Sequence, residues 1–148
     1  MNSKRNISFL MFVLLCFSGI CSCAPEIPEA ILNKPVPDLI RDLKSEDGVL
    51  RAQAVIALGM KKEAAKEAVP DMILLLADSK PYVRNRAMGA LANIGPLAID
   101  PLILATHHKE RTMRFYAAHA LKKIPDQKAQ DAYAAYMEHE GSKIVKSS

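Results

Sequence analysis

The sequence predicts an all-α protein, a short α-solenoid of about three helical hairpins closed by a C-terminal capping helix. Three observations lead there. Alanine occurs 21 times in 148 residues while Val, Ile and Thr form no alternating runs, which argues against a sandwich or barrel of strands. A block of five residue positions recurs three times along the chain without a gap. Each copy of the block sets its apolar residues at helical spacing. The length allows one compact domain, and with half the residues hydrophobic but only 5% aromatic, its core must be built from aliphatic and small side chains.

The first elements in chain order are an address and a spacer. Residues 1–24 have a basic start at Lys4 and Arg5, an apolar stretch from Ile7 to Ile20, and a patch of small residues at Cys21-Ser22-Cys23-Ala24. The apolar stretch holds 14 residues, short of the ~20 that a helix needs to cross ~30 Å of hydrocarbon, so a secretory signal is expected over residues 1–22. Ile20-Cys21-Ser22-Cys23 resembles the end of a bacterial lipoprotein signal, with Cys21 departing from the usual small residue at the second position. The resemblance implies lipidation at Cys23 and a membrane-anchored protein of the cell envelope, held by several acyl chains where one alone would not suffice. A soluble exported protein cut nearby and an uncleaved anchor are the alternatives. All three cysteines, Cys16, Cys21 and Cys23, fall in this segment, so the rest of the chain has neither a disulfide nor a thiol nucleophile. Residues 23–36 then read as a Pro-rich tether. Pro25, Pro28 and Pro35, with Pro37 just beyond, deny a continuous helix, although Glu29 to Leu32 can make one turn, and at ~3.1 Å per residue the spacer would reach roughly 40 Å.

The repeat domain is expected over residues 37–140. Pro37-Asp38-Leu39-Ile40, Pro70-Asp71-Met72-Ile73 and Pro101-Leu102-Ile103-Leu104 open three units, offset by 33 and 31 residues. Leu50-Arg51, Val83-Arg84 and Met113-Arg114 start the second helices and are followed by Ala54, Ala87 and Ala117, then by Ala57-Leu58, Ala90-Leu91 and Ala120-Leu121. These positions share one face at 100° per residue, and alanine at its middle lets paired helices approach closely. One hairpin cannot bury its own apolar side, so the units must stack. Asp126 to His139 carries Ala129, Ala132, Tyr133, Tyr136 and Met137 on one side, as a closing helix requires, with Gly141 expected to end it and 141–148 left as a flexible tail.

The segments 50–73 and 83–102 resemble the short bacterial HEAT repeats often called phycobilisome-lyase HEAT-like repeats, with Val-Arg, Ala, Ala-Leu-Gly, Ile-Gly, Ala and Pro in order. The sequence departs from that pattern at Met60-Lys61-Lys62 and at Ile124-Pro125, where Ile-Gly is usual. The resemblance implies a curved solenoid of HEAT-like hairpins, and it specifies chemistry hardly at all. In the family the Arg of each second helix pairs with an Asp of the preceding turn. Only Asp78 with Arg84 keeps that spacing, Ser45 and His108 standing in the corresponding places, and Arg51, Arg84 and Arg114 are expected to bridge neighbouring repeats rather than bind a ligand.

Little in the chain suggests catalysis. His107-His108 with Glu110 crowds imidazoles, but adjacent helical residues diverge by 100° and an interhelical turn explains them as well, so no metal and no cofactor is expected. HEAT-like enzymes that hold two irons use several His-Glu pairs, and this chain has one, His139-Glu140. Bilin lyases of similar build work inside the cell, which an export signal opposes. They leave an alternative in which the chain is an enzyme subunit or a metal- or tetrapyrrole-binding module. The net charge of +4 falls to +2 without Lys4 and Arg5, too small a surplus for nucleic acid. The expectation is therefore a non-catalytic scaffold binding a protein or peptide, with Asn85, Phe115 and His119 on the face of the second helices opposite the alanine seam, and Arg86 and Tyr116 at its flank, as candidate contacts. Ala52, Ile56, Gly59, Gly89, Ala92 and Lys122 are placed on the same outward face.

Overall fold

The computed structural model describes residues 27–146, so the signal-like segment and Cys23 lie outside the described residues. The described residues are helical throughout and contain no strand. A single turn α1 (Glu29–Leu32) leads to the first hairpin, α2 (Val36–Asp42) and α3 (Gly48–Lys61). In the second hairpin the outer arm is a composite, a 3-10 stretch Lys62–Ala68, then α4 (Val69–Leu74) and a 3-10 turn Leu75–Ala77, and the inner arm is α5 (Pro81–Ile94). The third is α6 (Pro96–Ala105) with α7 (Arg111–Lys123), and α8 (Gln127–Lys146) closes the stack.

The expected solenoid is present. The second helices pack side by side, α3 on α5 and α5 on α7, while α4 packs on α6 in the other layer and α8 covers α7 and α6. The core runs between the layers. Ala54, Ala57, Leu58, Ala87, Ala90, Leu91, Ala117, Ala120 and Leu121 are all buried, and Met72, Leu76, Leu102 and Leu39 fill the space from the first-helix side. Gly59 does not share the open face expected for it. A Cβ there would stand 2.7 Å from the Ala90 Cβ and 2.8 Å from its Cα, so α3 and α5 come too close at this point for any side chain on residue 59. Ala52 is buried as well.

Four boundaries differ from expectation, each for a local reason. Pro101 does not open the third unit, because α6 starts at Pro96, and Pro101 lies inside the helix. In the second unit, too, the outer arm begins before Pro70, and the carbonyl of Lys66, which Pro70 has no N–H to satisfy, accepts the N–H of Val69 instead. Gly141 does not end α8, which runs on to Lys146; a glycine inside a helix costs about 1 kcal/mol relative to alanine but leaves its N–H to continue the ladder. The spacer is also shorter than expected. Ile31 is buried and Ile27 and Leu32 pack on the core, so the chain is held to the body from Ile27 onward.

The turns between units show what the departures at Lys62 and Pro125 do. Gly95 takes φ 73° between α5 and α6, and Lys62, one repeat earlier, takes φ 47°. A side chain at positive φ is strained, and a glycine is not. Ile124 instead adopts an extended backbone, φ −84° and ψ 121°, as the residue before a proline prefers. Substituting Lys62→Gly is therefore expected to stabilise the protein by about 1 kcal/mol, the relief of strain exceeding the added chain entropy. Urea denaturation followed by circular dichroism checks this, and a lowered midpoint would contradict it.

Candidate functional site

The arginine column is the most regular feature of the polar structure. Nη1 of Arg51 donates to the carbonyls of Ser45 (2.7 Å) and Glu46 (2.9 Å), that of Arg84 to Asp78 (2.7 Å) and Ser79 (3.4 Å), and that of Arg114 to His108 (3.1 Å) and Lys109 (3.0 Å). Each guanidinium thus ties down the turn before its own helix. Its other edge reaches forward to the next element. Nε and Nη2 of Arg51 donate to the two carboxylate oxygens of Asp78 at 2.7 and 2.9 Å, Arg84 lies over the Tyr116 ring at 5.5 Å, and Nε of Arg114 stands 3.6 Å from Glu140. The arginines bridge neighbouring repeats as expected. The Asp78 carboxylate, however, serves Arg51 of the preceding unit and not Arg84, which takes only the Asp78 backbone carbonyl.

Positions 45, 78 and 108 share a second task. Ser45 Oγ, Asp78 Oδ1 and His108 Nδ1 each accept the N–H two residues on, at 3.1, 2.8 and 3.2 Å. Ser, Asp and His all form that small turn, but only the carboxylate also receives an arginine from behind. With His108 in place of a carboxylate, the buried Nε of Arg84 has no hydrogen-bond partner. His108 is thereby accounted for as a turn residue, and among the described residues no three His, Cys, Asp or Glu come together as metal ligands. His107 borders a small recess between α6 and α8 with Tyr136 and His139.

The side chains of Asp78 and Arg51 are 6% and 12% exposed, so their pairing is half-buried and largely shielded from water. Burial pushes the Asp78 carboxyl upward, but the Arg51 hydrogen bonds and the Lys80 N–H outweigh it and hold the group below the usual carboxylate range. The Arg51 guanidinium is raised, chiefly by the same hydrogen bonds. Because the folded-state value of Asp78 is depressed, its stabilisation is fully present above the ordinary carboxylate range, near pH 4, and is lost as pH falls through the folded value. Asp78→Asn is expected to destabilise by about 1–2 kcal/mol at neutral pH, by weakening the charge-assisted bonds to Arg51, and to remove part of the acid-dependent loss. Thermal melts from pH 7 to pH 2 measure both effects; an unchanged acid limb would place the titration elsewhere.

Outside the seam, the second helices carry a furrow. Its main recess, about 390 Å³, is lined by Ile56 of α3, by Asn85, Arg86, Gly89 and Asn93 of α5, and by Lys123 at the end of α7. Gly89 opens directly onto it: an added Cβ would meet nothing within 4 Å. No carboxylate lines it, and neither Arg86 nor Lys123 has an ion-pair partner among the described residues, so the lining of the recess combines cationic and amide side chains. Beyond Ile56 and Arg86 the furrow continues into a second recess of about 270 Å³, lined by Ile27, Val49, Gln53 and Tyr82.

The five residues predicted as contacts separate into two places. Asn85 and Arg86 line the furrow. Phe115, Tyr116 and His119 do not; they form an aromatic ladder over the joint between α7 and α8. His119 lies on Phe115 with ring centres 4.1 Å apart and is edge-on to Tyr133 at 5.9 Å, while Tyr116 is edge-on to Phe115 at 5.4 Å. Nδ1 of His119 is 2.9 Å from the Phe115 carbonyl, and only Phe115, 46% exposed, opens substantially to solvent. Sequence reasoning missed Asn93 and Lys123, which the furrow gathers from the far ends of α5 and α7. The signal for Lys123 was its place at a helix end, where the chain leaves the seam.

Stacked helical hairpins with a furrow along one layer define a helical-repeat protein. A family model described as HEAT repeats matches residues 36–108 and again residues 74–148, and the chain belongs to that family. No curated protein matches it.

Proposed function

We propose that the protein is a non-catalytic scaffold of the bacterial cell envelope, exported and held to a membrane through lipid on Cys23, which receives an acidic segment of a protein partner in the furrow between its second helices. The observation that carries the reading is the charge of the furrow. Arg86 and Lys123 line it with no carboxylate beside them, and Asn85 and Asn93 supply donors and acceptors for an extended peptide backbone. Gly89 leaves room for that backbone to lie close to α5. A stacked-repeat surface of this kind is rigid before its partner arrives, which limits the ordering cost of binding. The signal-like residues 1–22 and the lipobox-like Ile20-Cys21-Ser22-Cys23 support the location.

A photo-crosslinking residue at Asn85 is expected to trap a partner in intact cells, and the pair Arg86→Glu with Lys123→Glu is expected to abolish the adduct while leaving the melting temperature unchanged. An adduct from Phe115 and none from Asn85 would move the contact to the aromatic ladder and overturn the furrow as the site. For the anchor, Cys23→Ala is expected to eliminate acyl labelling and release the protein from the membrane fraction; labelling that persists would show that Cys23 is not the lipidated residue.

A further inference from the structure

The second recess differs in character from the first. Val49 at the start of α3 is 54% exposed and Tyr82 at the start of α5 is 44% exposed, and Ile27 packs beside them. These three form an apolar shoulder at one end of the second-helix layer. Lys80, exposed and outside every ion pair among the described residues, stands at the same end; its side chain and the Tyr82 hydroxyl lie over Gly48, where a Cβ would stand 2.4 Å from that hydroxyl. An aliphatic pair, a half-exposed tyrosine ring and a lysine outside every ion pair among the described residues suit the boundary between hydrocarbon and anionic headgroups, where an amphipathic ring and a snorkelling cation are both satisfied.

The length of chain before the shoulder names the surface that covers it. Three residues separate Cys23 from Ile27, and an extended chain gains at most about 3.6 Å per residue, so Ile27 stands within about 15 Å of the lipidated position. The body is held from Ile27 onward, so no slack remains downstream of it. We infer that the Ile27–Val49–Tyr82 shoulder, with Lys80, rests on the same bilayer that holds the acyl chains of Cys23, so that the protein lies against the membrane with its furrow opening along it. This inference rests on the lipidation proposed above. It adds an orientation, and it makes the recipient of the furrow a segment lying close to the bilayer. Neither the acyl anchor nor the shoulder alone requires the other: a flexible spacer of the full length of residues 23–36 would have left the body free to tumble.

The chain has no tryptophan, so single tryptophans report on one place each. The full-length protein, purified from membranes and reconstituted into phosphatidylethanolamine–phosphatidylglycerol vesicles, would carry Tyr82→Trp, or Val49→Trp as a second reporter, or Leu104→Trp on the outer layer, where Leu104 is 75% exposed. Lipids brominated along the acyl chain are expected to quench Tyr82→Trp and Val49→Trp several-fold more than Leu104→Trp, with a blue-shifted emission at the first two. Equal quenching at all three positions, or quenching at Leu104→Trp alone, overturns the orientation while leaving the anchor intact. A blue shift at Tyr82→Trp without quenching would mean that a second copy covers the shoulder, and also overturns it. Intact mass without acyl chains on Cys23 overturns the lipidation reading and the short leash together, and so separates the two failures.

Discussion

The whole stack depends on how closely α3 and α5 can approach. Gly59 against Ala90 sets that distance, and Ala54, Ala57 and Ala87 keep it along the seam. Small side chains there cost little conformational entropy on burial, and they bring many backbone and Cβ atoms into dispersion contact. Larger residues would force the helices apart and open voids that the flanking Leu58 and Leu91 could not fill. On the outer side α3 and α5 leave a furrow, and Gly89, without a side chain, opens onto it.

The polar structure solves the complementary problem of fixing the angle between successive hairpins. Apolar contact is indifferent to small rotations, whereas a bidentate guanidinium–carboxylate contact is directional. Arg51 holds the turn behind it through two carbonyls and the turn ahead of it through Asp78, so one side chain sets the relation of two units. Where the sequence offers His108 in place of a carboxylate, Arg84 leans on the face of Tyr116 instead. That substitution gives up directionality but brings the second joint within reach of the aromatic ladder that anchors α8.

Much of this was legible in the sequence, because repetition itself is evidence. The three Ala-Leu blocks marked the seam, and the Arg column marked the joints, without any knowledge of coordinates. What repetition could not supply was anything that depends on which of two neighbours a residue meets. Gly59 is as compatible with an open face as with a tight contact, and only the position of Ala90 decides. Asp78 has Arg84 six residues ahead and Arg51 twenty-seven behind, and spacing along the chain favours the wrong one. The prolines between Ala24 and Pro37 argued for a loose spacer, although Ile27, Ile31 and Leu32 carried a signal at i, i+4 and i+5 for a segment that packs. Of the candidate contacts, Asn85 was found through its place opposite the alanine seam and Arg86 through its place at the flank of that face, whereas Asn93 and Lys123 share a register with Met60 in which no residue type repeats.

The forward reach of the arginines gives the array a direction. Every unit offers a cation to its successor and tethers its own leading turn, so among the described residues the two ends of the series are chemically unlike: the first turn receives no arginine from behind, and the last arginine needs an acceptor from beyond the hairpins. The terminal helix ends the series by bringing Glu140 to Arg114 without presenting a further arginine column of its own. A chain built this way can be lengthened by inserting hairpins in its interior, where each newcomer finds both halves of the contact, but extension past the last helix would first require that helix to be displaced.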